Sequence, residues 1–195
     1  MTAYVGGSTG FGPPSWTTAN RPSSPVNGQL GWNSTLGQLE SWNGSAWAAI
    51  ATAVTAAPAF SAYANAVTTT ANNTYTKIAF QVKEFDTNSN FDSTTNYRFT
   101  PTVAGYYQIN SGVEFSANVN GGVAIVIYKN GSAYKTGSFF PNGNVQPVAV
   151  VASLVYCNGS TDYLEIYGYQ ASGGNLNTIA GIQFSWFNGV LVRSA

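Results

Sequence analysis

The chain has 195 residues with seven basic and seven acidic side chains, so its formal net charge is zero. Charged residues make up only 7% of the chain, against about 25% in an average soluble domain. So few charges leave no electrostatic footprint for binding nucleic acid or an anionic membrane surface. Because the chain has no histidine, Ser-His-Asp catalysis and histidine-ligated metal sites are excluded.

The remaining composition favours one fold class. Hydrophobic residues make up 44% and aromatic residues 14% of the chain, which is enough for a substantial core. The polar share is mostly Ser, Thr, Asn and Gly, residues that favour turns and strand faces over helices. We therefore predict an all-β structural or binding protein. We expect neither a membrane span nor a secretory signal, and we expect Cys157 to be a small buried hydrophobe.

Residues 1–20 are rich in Gly, Pro and Thr, and their hydrophobic side chains have no regular spacing. Gly12-Pro13-Pro14 imposes an extended or turn course, so we predict an extended arm without structure of its own. Such an arm is either a flexible tail or a peptide that orders on a partner. In the second case, Tyr4, Phe11 and Trp16 are the candidate attachment residues.

Residues 21–50 have the pattern of a small Trp-rich β meander, followed by an Ala-rich linker at 51–57. Leu30 and Trp32 are predicted to share one strand face. A turn at 34–37 and a two-residue hairpin at Asn43-Gly44 separate the strands. Three short strands bury little surface. The tryptophans are therefore expected to stack on each other, on the main domain or on a neighbouring subunit.

The order of residues in this meander is unusual. An Arg-Pro pair, a Pro-x-x-Gly step, a Gly-Trp-Asn strand and a Trp-Asn-Gly-x-x-Trp ending follow one another, at Arg21, Pro22, Pro25, Gly28, Gly31, Trp32, Asn33, Trp42, Asn43, Gly44 and Trp47. The segment resembles a short hairpin element of tailed-phage virion proteins, found in fibres and head decorations. The resemblance implies attachment to a phage particle, with Trp32, Trp42 and Trp47 as candidate attachment residues.

Residues 58–195 contain successive strand patterns and no helical period. Strands are predicted at 74–82, 105–115, 123–129, 132–137, 145–156, 162–169, 179–187 and 190–192. Asn-Gly pairs at 130–131, 158–159 and 188–189 are predicted turns. Many strands with tight turns indicate a sandwich or jelly roll.

A ladder of aromatic and glycine residues marks this domain, at Phe80, Phe91, Phe99, Gly105 and Tyr107. With residues 60–63, 99–109, 126–131 and 184–187, it resembles the complement C1q globular head and tumour necrosis factor. The resemblance implies a jelly-roll sandwich filled by Phe99 and Tyr107, with a turn at Gly105, and a tight homotrimer. The small number of charged residues agrees with a subunit that buries one of its faces in an oligomer interface. An extra residue before Phe99 departs from the family pattern and could place a bulge.

Catalytic and ligand-binding motifs are weak. A glycosidase needs two carboxylates beside a sugar-binding cleft; Glu84 and Asp86 are close in sequence but indicate no cleft. We predict a protein without enzymatic activity, cofactor or metal. At residues 86–92 a polar turn is the simpler interpretation, with a calcium site as the alternative. The loops 138–144 and 168–175 are either plain loops or contacts for sugar.

These observations predict a homotrimeric structural protein on the surface of a tailed-phage virion, assembled in the host cytoplasm. It would bind the major capsid protein or another virion protein through its N-terminal region, and neither nucleic acid nor membrane. One version is a capsid decoration, cement or head-spike protein. The alternative is a tail-fibre or receptor-binding tip that recognises a host surface glycan. The lack of a coiled-coil or repeat shaft favours decoration. A secreted C1q-like adhesion module ranks third.

Overall fold

The computed structural model describes residues 4–6, 10–50, 57–116, 121–140 and 146–195. For residues 4–6, 10, 11, 139 and 140 the description covers the backbone alone. The chain divides into two compact units, Met1–Thr55 and Ala56–Ala195. This division falls at the predicted linker 51–57, of which residues 51–56 lie outside the described residues.

Nearly every regular element of the described residues is a β-strand, apart from a 3-10 turn at Thr18–Asn20. The first unit contains β1 (Tyr4–Gly6), β2 (Gly10–Gly12), β3 (Ser15–Trp16), β4 (Leu30–Asn33), β5 (Gln38–Trp42) and β6 (Trp47–Ala49). The second unit contains β7 (Ala59–Tyr63), β8 (Thr69–Thr70), β9 (Thr76–Lys77), β10 (Val82–Asp86), β11 (Phe91–Asp92), β12 (Arg98–Phe99), β13 (Gly105–Glu114), β14 (Val123–Lys129), β15 (Ser132–Phe140), β16 (Val148–Cys157), β17 (Leu164–Gln170), β18 (Leu176–Asn177) and β19 (Ser185–Ser194). Across these described ranges, no helix has the length and hydropathy that a membrane crossing requires.

The first unit contains a β1-β2 ribbon and a four-stranded sheet with the order β3-β4-β5-β6. The sequence assigned Ser15 and Trp16 to an unstructured arm, but β3 pairs in parallel with β4. Trp16 is buried because its ring lies over Gly31, where a Cβ atom would overlap the ring. The sheet therefore begins earlier in the chain than the predicted meander.

The predicted two-residue hairpin at Asn43-Gly44 is wrong. Trp42 pairs with Trp47, so the connection contains four residues. The Asn43 side-chain oxygen accepts hydrogen bonds from the backbone N–H groups of Ser45 and Ala46. This side-chain cap stabilises a wider loop in place of a type I′ turn.

The second unit is an all-β sandwich. The five-stranded sheet has the strand order β10-β7-β19-β13-β16. The six-stranded sheet has the order β11-β12-β17-β14-β15, and its sixth strand, β9, pairs with β17. Large side chains from both sheets fill the space between them: Phe60, Phe80, Phe99, Tyr107, Ile109, Ile125, Ile127, Leu164, Ile166 and Phe187. Phe60 stacks on Phe99 with ring centroids 4.3 Å apart and meets Phe187 edge-on at 4.9 Å.

Two of the Asn-Gly pairs in this unit behave in opposite ways. Asn130-Gly131 forms the predicted two-residue turn, with φ values of 53° and 77° between the paired Lys129 and Ser132. Asn188-Gly189 is not a turn but lies inside β19, opposite Asn110 and Ile109 of β13. Glycine is needed there because a Cβ atom would lie 2.8 Å from Phe60 Cε1 and 2.7 Å from Ile109 Cδ1.

Two further sequence predictions need correction. The strand predicted at 74–82 is limited to Thr76–Lys77, because the chain then crosses from the six-stranded to the five-stranded sheet and carries Ile78 and Phe80 into the core. Gly105 does not form a turn but begins β13. A Cβ atom there would lie 2.7 Å from Leu191 Cδ1 and would overlap the Arg193 carbonyl oxygen.

Candidate functional site

The outer face of the five-stranded sheet is the main candidate surface of the second unit. Along β13 and β16, alternate residues point into the core, and the others point outwards. Large apolar side chains on the outward positions of this sheet are between 39% and 60% exposed: Phe85, Tyr106, Val148, Val150, Leu154, Tyr156, Val190 and Val192. Exposed apolar side chains gathered on one sheet face mark an interaction surface.

A polar strip crosses the middle of this face and is hydrogen-bonded within itself. Gln108 Nε2 donates to Asn110 Oδ1 at 2.9 Å, and Asn110 Nδ2 donates to Asn188 Oδ1 at 3.1 Å. On the neighbouring strand, the Ser61 hydroxyl donates to Glu84 at 2.7 Å. Since these groups already have partners, covering the face would leave few of them unpaired. The strip is therefore compatible with burial in a subunit interface.

The predicted aromatic ladder lies behind this face, in the core. Phe80, Phe91, Phe99 and Tyr107 are all buried, with at most 3% of each residue exposed. Sequence reasoning did not identify the interface candidates of β16, such as Val150 and Leu154. Their signal is the run of apolar residues at 148–156, interrupted only by Ser153, which indicates a strand with two apolar faces.

Three of the four N-terminal tryptophans form the packed face of the first unit. Trp16 lies edge-on to Trp47 with ring centroids 4.8 Å apart, and Trp42 lies 5.7 Å from Trp47. Glu40, which accepts a hydrogen bond from Trp16, is fully buried in the same sheet. The arrangement gives Trp16, Trp42 and Trp47 a structural role in holding the sheet together.

Glu40 connects the elements of the first unit. Its carboxylate accepts from Trp16 Nε1 at 2.6 Å and from two nitrogens of Arg21 at 2.9 and 2.7 Å. Asn33 Nδ2 donates to the same carboxylate at 3.2 Å. The Arg21 hydrogen bond is the main cause that lowers the pKa of Glu40 to about 2. Glu40 thus remains ionised and satisfied while buried.

The opposite face of the same sheet carries the fourth tryptophan. Trp32 is 42% exposed and Leu30 is 45% exposed, on one strand face as the alternation predicted. Leu30 and Leu39 line an apolar groove together with Pro13 and Pro14. The sequence analysis had placed these two prolines in the extended arm. Among the predicted attachment residues, Trp32 is therefore on an open face. The side chains of Tyr4 and Phe11 lie outside the described residues.

The acidic residues considered for chemistry serve turns and ion pairs. Asp86 accepts from the backbone N–H groups of Asn90 and Phe91. Asp92 accepts from the backbone of three residues that follow it, chiefly Thr95 and Thr94, which holds its pKa well below the usual range. The segment 86–92 is therefore a polar turn. Within the described residues, no group of three or more acidic, Cys or His side chains could hold a metal ion.

The structure also locates Cys157 and the loops that the sequence offered as sugar contacts. Cys157 is buried, and this burial raises the pKa of its thiol to about 11, so the thiol is protonated and unreactive. Loop 168–175 holds a hydrogen-bonded turn, with Ser172 donating to the Gln170 side-chain oxygen. Loop 138–144 lies partly outside the described residues.

Comparison with solved structures defines the fold class. The globular domain of zebrafish complement 1qA matches with a TM-score of 0.53 and 20% identity, over 71% of this chain and 99% of that one. The Eiger TNF of S. frugiperda matches with a TM-score of 0.55 and 9% identity, over 72% of this chain and 95% of that one. The second unit therefore has the C1q/TNF jelly-roll fold that its aromatic ladder predicted.

A viral protein is also similar to this chain. The PRD1 vertex protein P5 matches with a TM-score of 0.50 and 16% identity, over 73% of this chain and all of that one. No protein-family model and no curated protein matches the sequence. At these identities the similarities define the jelly-roll fold, and the role of this chain must be argued from its own surfaces.

Proposed function

We propose that this chain is a non-enzymatic structural protein of a tailed-phage virion, displayed on the particle surface as a homotrimer. The observation that carries the proposal is the apolar outer face of the five-stranded sheet. The fold similarity to C1q and TNF domains supports self-association, and the similarity to a phage vertex protein supports a virion location. The sequence resemblance of residues 21–47 to phage hairpin elements supports the same location.

The outer face of the five-stranded sheet is well suited to association with copies of itself. Its exposed apolar residues include Leu154 at 51% and Val192 at 60%, in a shallow depression that Tyr106 and Arg193 also line. Fully burying an exposed side chain of this kind gains about 1.5–3 kcal/mol, and covering these partly exposed side chains gains a fraction of that each. In a closed trimer, every copy would cover the same face, which leaves no open end for further growth.

The first unit supplies the proposed attachment to the particle. Trp32, Leu30 and the groove beside Pro13 and Pro14 form the exposed apolar face of its sheet. We assign the contact with the major capsid protein or another virion protein to this face. Three such units on one trimer would raise the effective concentration of each contact, so modest single affinities hold firmly.

This arrangement favours the decoration role over a fibre tip. A decoration protein needs one surface for self-association and one for the shell, and each unit provides one such apolar surface. The attachment contact is apolar and carries little charge, so it should depend only weakly on salt. A receptor-binding tip would use a glycan-binding surface in addition to these two, so the location of the chain on the particle decides between the roles.

The proposal is tested by the copy number and location of the chain in purified particles of the phage that encodes it. Quantitative mass spectrometry against the major capsid protein, with immunogold labelling, should find many copies on the head. A few copies at the tail would support the fibre role. Absence from particles would contradict both roles. Complementation with Trp32→Ala should reduce incorporation, whereas Val67→Ala, which changes a 54% exposed side chain of the second unit, should leave it unchanged.

A further inference from the structure

A band of tyrosines covers the outer face of the six-stranded sheet. Tyr167 and Tyr169 occupy alternate positions of β17, so both point away from the core. Tyr128 on the adjacent β14 stacks on Tyr167 with ring centroids 3.8 Å apart and planes 19° apart. Tyr75, which precedes β9, lies 5.1 Å from Tyr169 and 6.1 Å from Tyr128. We call these four residues the tyrosine band.

The rings of the tyrosine band are held in place by their surroundings. The Tyr169 hydroxyl donates to Asn73 Oδ1 at 3.1 Å. Lys77 donates to the buried Glu165 carboxylate directly beside Tyr167. Tyr75 is 48% exposed, while its three neighbours are half-buried. The band therefore combines fixed aromatic surface with hydroxyl, amide and carboxylate groups at its border.

Based on these contacts, we infer that the tyrosine band binds a short neutral oligosaccharide. The C–H face of a pyranose ring packs on an aromatic ring, and its hydroxyls need amphoteric partners such as tyrosine hydroxyls and an asparagine amide. Lys77 and Glu165 at the border of the band form an ion pair and neutralise each other, so this pair does not select for an acidic sugar. Burial and the nearby Glu165 raise the pKa of Tyr167, which keeps its hydroxyl protonated and able to donate.

A comparison within the molecule favours a glycan over a protein partner. Five of the eight large apolar side chains exposed on the five-stranded sheet are Val or Leu, beside Phe85, Tyr106 and Tyr156, and aliphatic surface of this kind offers a sugar no hydrogen-bond partner. In the tyrosine band, the exposed large side chains are tyrosines with polar groups beside them. The two faces lie on opposite sides of the sandwich, so a trimer that covers the first would leave the second open to a ligand. The inference does not depend on attachment to a particle.

The test is a titration of the full chain with neutral tetrasaccharides of glucose, mannose, galactose and N-acetylglucosamine, followed by NMR chemical shifts. We expect binding of at least one of them in the millimolar range or tighter, with shifts concentrated in β9, β14 and β17. Tyr75→Ala should weaken binding about tenfold by removing an exposed ring. Tyr167→Phe, which keeps the ring that stacks on Tyr128, should weaken it by loss of one hydroxyl.

The matched control is Tyr134→Ala, which removes a tyrosine that is 46% exposed and outside the band. This variant should bind the sugars as the unchanged chain does. Failure of all four sugars to bind at millimolar concentration overturns the inference. So does binding that is equal in the Tyr75→Ala and Tyr134→Ala variants, or band variants that change incorporation into particles without any sugar binding.

Discussion

Tyr106 on β13 and Tyr156 on β16 lie opposite each other on the outer face of the five-stranded sheet, with ring centroids 5.4 Å apart. They are 42% and 41% exposed. Leu154 and Val192 extend the same apolar region. In a chain with so few charges, a region of this kind needs a partner surface to avoid aggregation. We therefore place the centre of the proposed trimer interface at this tyrosine pair.

Leu154→Asp should convert the proposed trimer into a folded monomer. The substitution places a carboxylate in the depression that Leu154 shares with Tyr106 and Arg193, and association would have to remove this charge from water, which costs more than pairing it regains. Because Leu154 points outwards, the core of the sandwich should be unaffected. Light scattering measures the change in molar mass, and far-UV circular dichroism measures the retained β content.

Val67→Asp is the matched control for this variant. Val67 is 54% exposed, close to the 51% of Leu154, but it lies outside the five-stranded sheet. The Val67→Asp variant should therefore associate as the unchanged chain does. Equal loss of association in both variants would mean that added charge alone, not the position on this face, disrupts the assembly.

Trp16→Ala should destabilise the first unit, whereas Trp32→Ala should leave it folded. Truncating a buried aromatic residue costs about 3–5 kcal/mol, and Trp16 also donates to Glu40. Trp32 lies on the open face and buries less surface. Urea unfolding monitored by tryptophan fluorescence gives both values, since four of the five tryptophans are in this unit. Equal destabilisation would place Trp32 in the packed face and contradict its proposed role in attachment.

Acid should destabilise the first unit through Glu40. The pKa of this carboxyl is about 2 in the folded unit, below its usual value of 4.5. The unfolded chain therefore binds the proton first, and stability present above pH 4.5 is lost as the pH falls towards 2. Tryptophan fluorescence during an acid titration should report this loss. Glu40→Gln should be less stable at neutral pH and should lose this part of the pH dependence; parallel titration curves would disprove the assignment.

Gly105→Ala should destabilise the second unit by about 1–3 kcal/mol. The added methyl group would press on the Arg193 backbone oxygen and on Leu191. Gly174→Ala is the control, because a Cβ atom at that position has no neighbour within 4 Å. Thermal unfolding followed in the far ultraviolet compares the two. If both variants melt together, the close approach of β13 and β19 is not a constraint.

The aromatic ladder made the fold predictable from sequence, because the spacing of Phe99, Gly105 and Tyr107 resembles that of the C1q/TNF jelly roll. Local turn signals were less dependable. Asn130-Gly131 needs positive φ values and forms a turn. Gly189 is required instead by the close approach of Phe60 and Ile109, which come from strands distant in sequence. A dipeptide alone cannot distinguish these two requirements.

The candidate surfaces were harder to predict than the fold. Sequence placed four tryptophans in one block, but their division between a packed and an open face depends on Trp16 joining the sheet beside β4. That pairing is parallel, and it is possible because Gly31 has no side chain and leaves space for the Trp16 ring. No local sequence pattern reveals this space. The interface candidates of β16 were hidden for another reason: both faces of this strand are apolar, so alternation gives no contrast.

The molar mass of the full chain in solution tests the central claim most directly. Multi-angle light scattering at micromolar concentration should give three times the chain mass of 20.5 kDa, unchanged by moderate salt because the proposed interface is apolar. A monodisperse species at the mass of one chain would contradict the proposed trimer, and with it the assignment of the five-stranded face as a subunit interface.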